Sequence, residues 1–233
     1  MKKVAFVGAY DKIDFIIYVA KVLTEYGKTV MIIDGTILQK TRYIVPAINP
    51  GPKYMTTFED IDFCVGFRSQ EEIKQYLNMQ IANEFQYDYV LIDVDTPEMA
   101  ATFAVDTFNL FYYVSSMDLY SIIRGLTVFD SFRQPVTATK IMYLKHITKQ
   151  DDDYINYLAQ GRKVNFNPND IVYLPFENGD LTIIYENQRV KKIRLKKISE
   201  QFKSGVLYVA SQIADAKDYR ELLKPLKILE KGV

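Results

Sequence analysis

The sequence carries one cysteine, one histidine and no tryptophan among its 233 residues. The lone Cys64 excludes an intramolecular disulfide and any multi-cysteine zinc or iron–sulfur cage built within one chain. Set in the apolar stretch IDFCVGF, it reads as a small buried core residue. The lone His146 leaves a histidine-based metal site or a His–Ser triad without its second member, so a structural or solvent-exposed role is expected. Neither charge sign is in excess: Lys+Arg and Asp+Glu are both 29, so net charge points neither toward nor away from nucleic acid. No run of about 18 apolar residues occurs, which excludes a membrane-spanning helix. Lys2 and Lys3 lead straight into a short strand rather than a longer apolar segment, so no secretory signal is expected. The expectation is a cytoplasmic protein with the option of peripheral membrane attachment. The missing tryptophan excludes nothing.

What is present is an ordinary globular composition, 48% hydrophobic and 25% charged, long enough for one sizeable α/β core. A single domain over residues 1–233 is the simpler reading. The stretch Lys3 to Asp34 organises it. Lys3 to Val7 is a short apolar run; Ile16, Val19, Ala20 and Leu23 fall on one helical face; Gly27 and Lys28 sit at a helix stop; Val30 to Ile33 make a second apolar run ending on Asp34. Two apolar strands joined by such a helix require a right-handed crossover in a parallel sheet. The loop ahead of the helix, Gly8 to Lys12, lies where nucleotide-binding α/β proteins hold phosphate on free helix N–H groups.

This arrangement resembles the deviant Walker A ATPases of the ParA and MinD type, whose first loop reads KGGVGKTT before a helix and a VLLID strand. Matched to that motif, Lys12 takes the place of the phosphate-binding lysine and Gly8 that of a glycine, while Val7 replaces the signature lysine. Ala9 and Asp11 replace glycines, and Ile13 replaces the hydroxyl residue that holds magnesium. Asp34 matches the aspartate ending the second strand, with Thr36 where a companion usually stands. The strand YVLID (Tyr89 to Asp93) runs into DVDTPE, similar to the family's switch II region, where an aspartate positions magnesium and water. The resemblance implies a doubly wound, mostly parallel sheet with helices on both faces. It implies a vestigial nucleotide site at Gly8, Asp11, Lys12, Asp34 and Asp93, with no catalytic residue and no metal.

Read as residues alone, the same positions carry plainer alternatives. Lys12 can be a solvated loop lysine, and Asp34, Asp93 and Asp95, at the carboxyl ends of strands, can cap the turns that follow. Asp11 and Asp14 have an N-cap spacing, in which a carboxylate takes the N–H groups a phosphate would need. At about 4 Å and an effective dielectric near 20, each would repel a phosphate charge by about 4 kcal/mol. The expectation is a loop closed by its own carboxylates.

Further along, Pro46 to Lys53 reads as a loop, Ile61 to Phe67 as a strand, and Ser69 as the cap of a helix over Gln70 to Phe85 with Glu72 completing a capping box. Glu98 to Asp106 and Asp118 to Phe132 read as helices, Leu110 to Val114, Lys140 to Lys145 and Ile171 to Leu174 as strands, and Asp151 to Asp153 as an acidic helix start. Leu181 to Leu195 alternates about Glu186 to Gln188 and suggests a β-hairpin. Its basic end, Arg189 to Lys197, holds six cations in nine residues, available to DNA phosphates, anionic lipid or an acidic partner, or else a solvated sheet edge. A helix over Ile198 to Ile213 and an amphipathic one at about 217–230 close the chain. The latter carries Tyr219, Leu222, Leu223, Leu226 and Leu229 on one face, expected to pack on the protein's own core or a second subunit rather than on lipid.

The leading expectation is a non-catalytic ParA/MinD-like scaffold or localisation protein for an envelope, pilus or secretion assembly, or for a partitioning system. In character it is nearest the TadZ and CpaE type, whose Walker A loops are also atypical. It would work through protein contacts, with no cofactor, without nucleic acid, and with any homodimer independent of nucleotide, since Val7 cannot reach across to a partner's phosphates. Peripheral membrane contact would run through the C-terminal helix. The alternatives are an active ATPase using Lys12, Asp34 and Asp93 with ATP and magnesium, and a ParA-like DNA-binding partition protein using the basic run.

Overall fold

The computed structural model describes residues 1–80, 84–175, 179–216 and 219–231. The opening periodicities produce β1 (Lys2–Val7), α1 (Ile13–Glu25) and β2 (Val30–Gly35), and α1 stops where Gly27 takes a φ of 81° that a side chain would disfavour. There follow α2 (Thr41–Ile44), β3 (Tyr54–Phe58), β4 (Ile61–Val65), α3 (Gln70–Tyr76), β5 (Tyr89–Val94), α4 (Pro97–Thr102), β6 (Leu110–Ser115) and α5 (Leu119–Thr127). Then come β7 (Val136–Met142), α6 (Lys149–Leu158), β8 (Val164–Tyr173), α7 (Asp180–Val190), α8 (Glu200–Ala214) and α9 (Leu223–Lys231).

The strands form one eight-stranded sheet in the order β3-β4-β2-β5-β1-β6-β7-β8. Every neighbouring pair is parallel except β3–β4, a hairpin turned by Glu59 and Asp60, both at positive φ. Alternate residues feed two apolar layers. Val4 and Phe6 of β1 join the layer formed with α1, α8 and α9, whereas Ala5 and Val7 join the layer formed with α3, α4, α5 and α6. Central strands covered on both faces must be apolar throughout, which is why β2 and β5 are buried along their whole length. The expected doubly wound, mostly parallel fold is the one observed. Because β5, β1 and β6 are central and parallel, the loops after them, together with the one after β2, share one end of the sheet.

Several expectations change. Leu181 to Leu195 is not a hairpin. Its first part is α7, ended by Lys191 in the left-handed region, with Asp180, Ile184 and Asn187 buried at helical spacing. The packing of Ile184 into the layer that holds Phe15 and Phe202, with Ile183 against it, overrides the local β preference of the sequence. The basic run is therefore a helix end followed by an irregular segment and not a sheet edge. Ile193, Leu195 and Ile198 point inward and Leu195 N–H donates to Leu229 O. The strand β3 and the short α2 were unforeseen. The helix expected over Gln70 to Phe85 ends at Tyr76, with Asn78 at φ 54° closing it; its stretch 81–83 lies outside the described residues. Ser69 does cap it, accepting from Glu72 N–H.

The amphipathic segment expected at about 217–230 starts outside the described residues, and from Tyr219 it is a 3-10 turn leading into α9. Pro225 falls in the first turn of α9, where a missing N–H costs nothing. Leu222, Leu226 and Leu229 are buried in the layer with α1 and α8, and Glu230 is paired with Lys203 of α8. This leucine face therefore packs on the protein's own core. No helix among the described residues is long and apolar enough to cross a membrane. Leu229→Ala should lower stability by about 2–4 kcal/mol, as expected for a buried leucine. A denaturation midpoint equal to that of the unmodified protein would show that α9 is not docked.

Candidate functional site

The site begins where β1 ends. At Gly8, with φ 154°, an added Cβ would stand 2.0 Å from Val114 O at the end of β6, so only glycine lets the chain pass there. On the other side Gly125 of α5 gives room in the same way: a Cβ there would lie 3.3 Å from Gly8 Cα and 2.9 Å from the Tyr113 ring. The loop from Gly8 to Lys12 is thus held between β6 and α5. Val7 is wholly buried in the sheet, and Ile13, the first residue of α1, is buried as well.

Lys12 is the N-cap residue of α1 and makes no side-chain cap. Instead its side chain folds back over the loop and is 1% exposed. Its ammonium lies 2.5 Å from Asp93 Oδ1 and donates to Gly8 O at 2.6 Å. A solvated lysine is therefore not what the structure contains. Nor do Asp11 and Asp14 cap the helix. Both turn to Lys40, with Oδ2 of each at 2.7 and 2.8 Å from Nζ, and Asp14 Oδ1 also accepts from Gln188. The expectation of a loop closed by its own carboxylates fails for a physical reason: a buried lysine needs a counter-charge, and Asp93 on β5 supplies it. Burial works against the Lys40 charge, but Asp14 and Asp11 outweigh it and raise its pKa.

Asp34 and Asp93 are cross-strand neighbours at the carboxyl ends of β2 and β5. Asp34 is consumed by turn capping: Oδ1 accepts from the Thr36 N–H and hydroxyl, and Oδ2 from Thr41 N–H. Asp93 caps nothing. Burial pushes its carboxyl up to about 7; Lys12 opposes the rise, while Asp34 and Asp95 add to it. Oδ1 has no aligned hydrogen-bond donor, so its contact with Lys12 is an ion contact. Asp95 lies just past the strand, takes Ile37 N–H on both oxygens at 3.2 Å, and has its pKa raised by burial.

The sheet thus brings Gly8, Asp11, Lys12, Asp34 and Asp93 to one end of the molecule; Asp11, Lys12 and Asp93 line a cleft of about 360 Å³ there, and Gly8 and Asp34 do not. Sequence reasoning missed Lys40, Tyr10, Leu38 and Tyr43, which also line it. All but Tyr10 belong to the β2–β3 connection, which has no periodicity to read. Tyr10 packs against Tyr143 with ring centroids 4.6 Å apart.

Comparison by sequence finds no matching family model and no curated relative. Comparison by structure does. The chain is similar to a chain of the MinC:MinD cell division complex of Aquifex aeolicus, with TM-score 0.57 and 14% identity over 94% of this chain and 97% of that one. It is similar to the McdA–ATP complex of Cyanothece, with TM-score 0.56 and 10% identity over 94% and 98%. A ParA family ATPase of Chlorobium tepidum matches with TM-score 0.50 and 13% identity over 97% and 95%. The fold is the ParA/MinD fold. At such identities the likeness extends to the fold and not to the chemistry.

Two substitutions probe the pair and its neighbours. The folded Asp93 carboxyl keeps its proton to a higher pH than the unfolded one. Its contribution to stability is therefore fullest below about pH 4 and is lost as pH rises toward 7. Lys12→Met leaves the carboxylate buried without its cation, so it should cost about 3–5 kcal/mol near pH 8 and clearly less near pH 5.5, where Asp93 is protonated. Denaturant midpoints at the two pH values decide it, and a pH-independent loss would count against the pair. Asp11→Ala, by contrast, removes only a half-exposed ion pair and should change stability by less than about 1 kcal/mol. A larger loss in the same assay would restore Asp11 as a cap.

Proposed function

We propose that this chain is a non-catalytic ParA/MinD-fold protein, a scaffold or localisation factor that acts through protein contacts. The observation that carries the reading is Lys12, whose ammonium is already held by Asp93 and Gly8 O. A phosphate-binding lysine must present its charge to the ligand, and this one points into the protein. The neighbouring residues do not fit magnesium and a nucleotide either. Ile13 offers no hydroxyl ligand, Asp34 is committed to the Thr36 turn, and Gly8 is the one glycine in a loop whose backbone would have to wrap phosphates. The McdA structure is a complex with ATP; the features that would let this chain do the same are the ones it lacks. The place of Val7 in the sheet further supports association that needs no nucleotide.

Within the range of positioning proteins, an atypical loop of this kind is nearest in character to the TadZ and CpaE type, which makes pilus or secretion assembly the preferred setting over plasmid partition. The DNA-binding alternative draws less support from the basic run than its composition suggests. Lys191 is bonded to the carbonyls of Tyr43 and Ile44, and Lys192 is paired with Glu59.

Calorimetric titration with magnesium–ATP tests the reading. No binding and no turnover are expected at about millimolar nucleotide, where even a Kd near 1 mM corresponds to about 4 kcal/mol. Affinity in the micromolar range, or hydrolysis abolished by Lys12→Ala, would overturn it in favour of an active ATPase.

A further inference from the structure

Closing the loop reverses the sign of charge that the cleft can accept. Lys12 is matched by Asp93, and Lys40 is shared between Asp11 and Asp14. Carboxylates therefore outnumber ammonium groups around the cleft, and Asp95 has no cation of its own. It lines the cleft, accepts only the Ile37 N–H, and among the described residues no lysine or arginine lies within 4.0 Å of it. Asp93 lines the same cleft, but its Oδ1 is taken by the Lys12 ammonium 2.5 Å away. A polyanion would meet net repulsion here, whereas a cation would meet Asp95 in a partly dehydrated site.

The walls are apolar. Tyr10, Leu38 and Tyr43 line the cleft, and Ile37, whose N–H meets Asp95, adjoins it. Three of these are left to solvent to an unusual degree: Ile37 is 68% exposed, Leu38 81% and Tyr43 77%. Large apolar side chains clustered at a polar rim mark a contact surface. Their extent exceeds what a small amine would cover.

We propose that the cleft docks a segment of a protein partner presenting an arginine or lysine beside apolar side chains. The cation reaches Asp95, and the apolar flanks lie on Leu38 and Tyr43. This rests on the reading that the loop is closed and takes no nucleotide, and it names the chemistry of the partner that reading calls for. A cation arriving at Asp95 also favours its ionised form, which burial otherwise disfavours.

The probes are capped tetrapeptide amides of sequence Leu-Arg-Ile-Leu and Leu-Glu-Ile-Leu, with agmatine as the free guanidine, titrated into the full isotopically labelled chain and followed by amide shifts. The arginine peptide is expected to shift residues 37–40 and Asp95, and to bind at least about tenfold more tightly than the glutamate peptide or agmatine, since it alone satisfies both charge and apolar walls. Asp95→Asn should weaken it by about fivefold or more, and so should Leu38→Ser, a change at an exposed side chain that leaves the core untouched. Equal binding of the two peptides, agmatine binding as tightly as the peptide, no shift from the arginine peptide at about 5 mM, or indifference to both substitutions would overturn the proposal. Magnesium–ATP is the separating arm. Silence from both ATP and peptide defeats the docking site alone, whereas ATP that binds and displaces the peptide defeats the closed-loop reading beneath it.

Discussion

The ion pair between Lys12 and Asp93 sets the rest of the site. Both side chains are almost completely removed from water, and an ionised Asp93 at this depth is stabilised by the Lys12 ammonium beside it. Once Lys12 folds inward, the loop must turn over Gly8, which in turn needs the space left by Gly125 and the close approach of Val114. The helix start then has no side-chain cap, and Asp11 and Asp14 are free to engage Lys40 from the β2–β3 connection. One interior contact thus accompanies the turn over Gly8, while the helix-start carboxylates pair instead with a segment remote in sequence.

The parallel sheet creates the electrostatic problem that this pair solves. Register places Asp34 opposite Asp93 at adjacent strand ends, with Asp95 one residue past the strand. Burial raises the cost of ionising Asp93 and Asp95, and the neighbouring carboxylates add to it. Each is relieved differently. Asp34 takes three donors from the turn that follows it, Asp93 takes the ammonium, and Asp95 takes one backbone N–H. The last arrangement is the weakest, and it faces the cleft.

How far the sequence discloses this depends on the range of each interaction. The first strand–helix–strand unit and the strand Tyr89 to Asp93 were legible because their apolar spacing is local and dictated by the layers they join. So was the position of Asp34, Asp93 and Asp95 at strand ends. The solvated reading of Lys12 fails because its partner lies on another strand, and nothing in KIDF announces a buried charge. The supposed hairpin at Leu181 to Leu195 failed likewise. Its alternation was real, but burial of Asp180, Ile184 and Asn187 at helical spacing, Ile184 in the layer with Phe15 and Phe202, goes with a helix. Lys40, Leu38 and Tyr43 gave no signal, since an irregular connection has no period and its role appears only when the sheet places it over the loop.

In a nucleotide-binding site the empty state leaves cationic and N–H groups unsatisfied, and the ligand completes them. Here the completing group is internal. An intramolecular counter-charge is present at high effective concentration and needs no ligand supply. Beside the cleft the β2–β3 connection leaves Ile37, Leu38 and Tyr43 exposed, while Lys40 ties it to the helix start and the Ile37 N–H ties it to Asp95. Single exposed apolar side chains are ordinary, whereas several that lie together beside a polar cleft mark a contact surface. The segment is thus tied at two points to the elements that carry the Lys12–Asp93 pair, at the start of α1 and just past the end of β5.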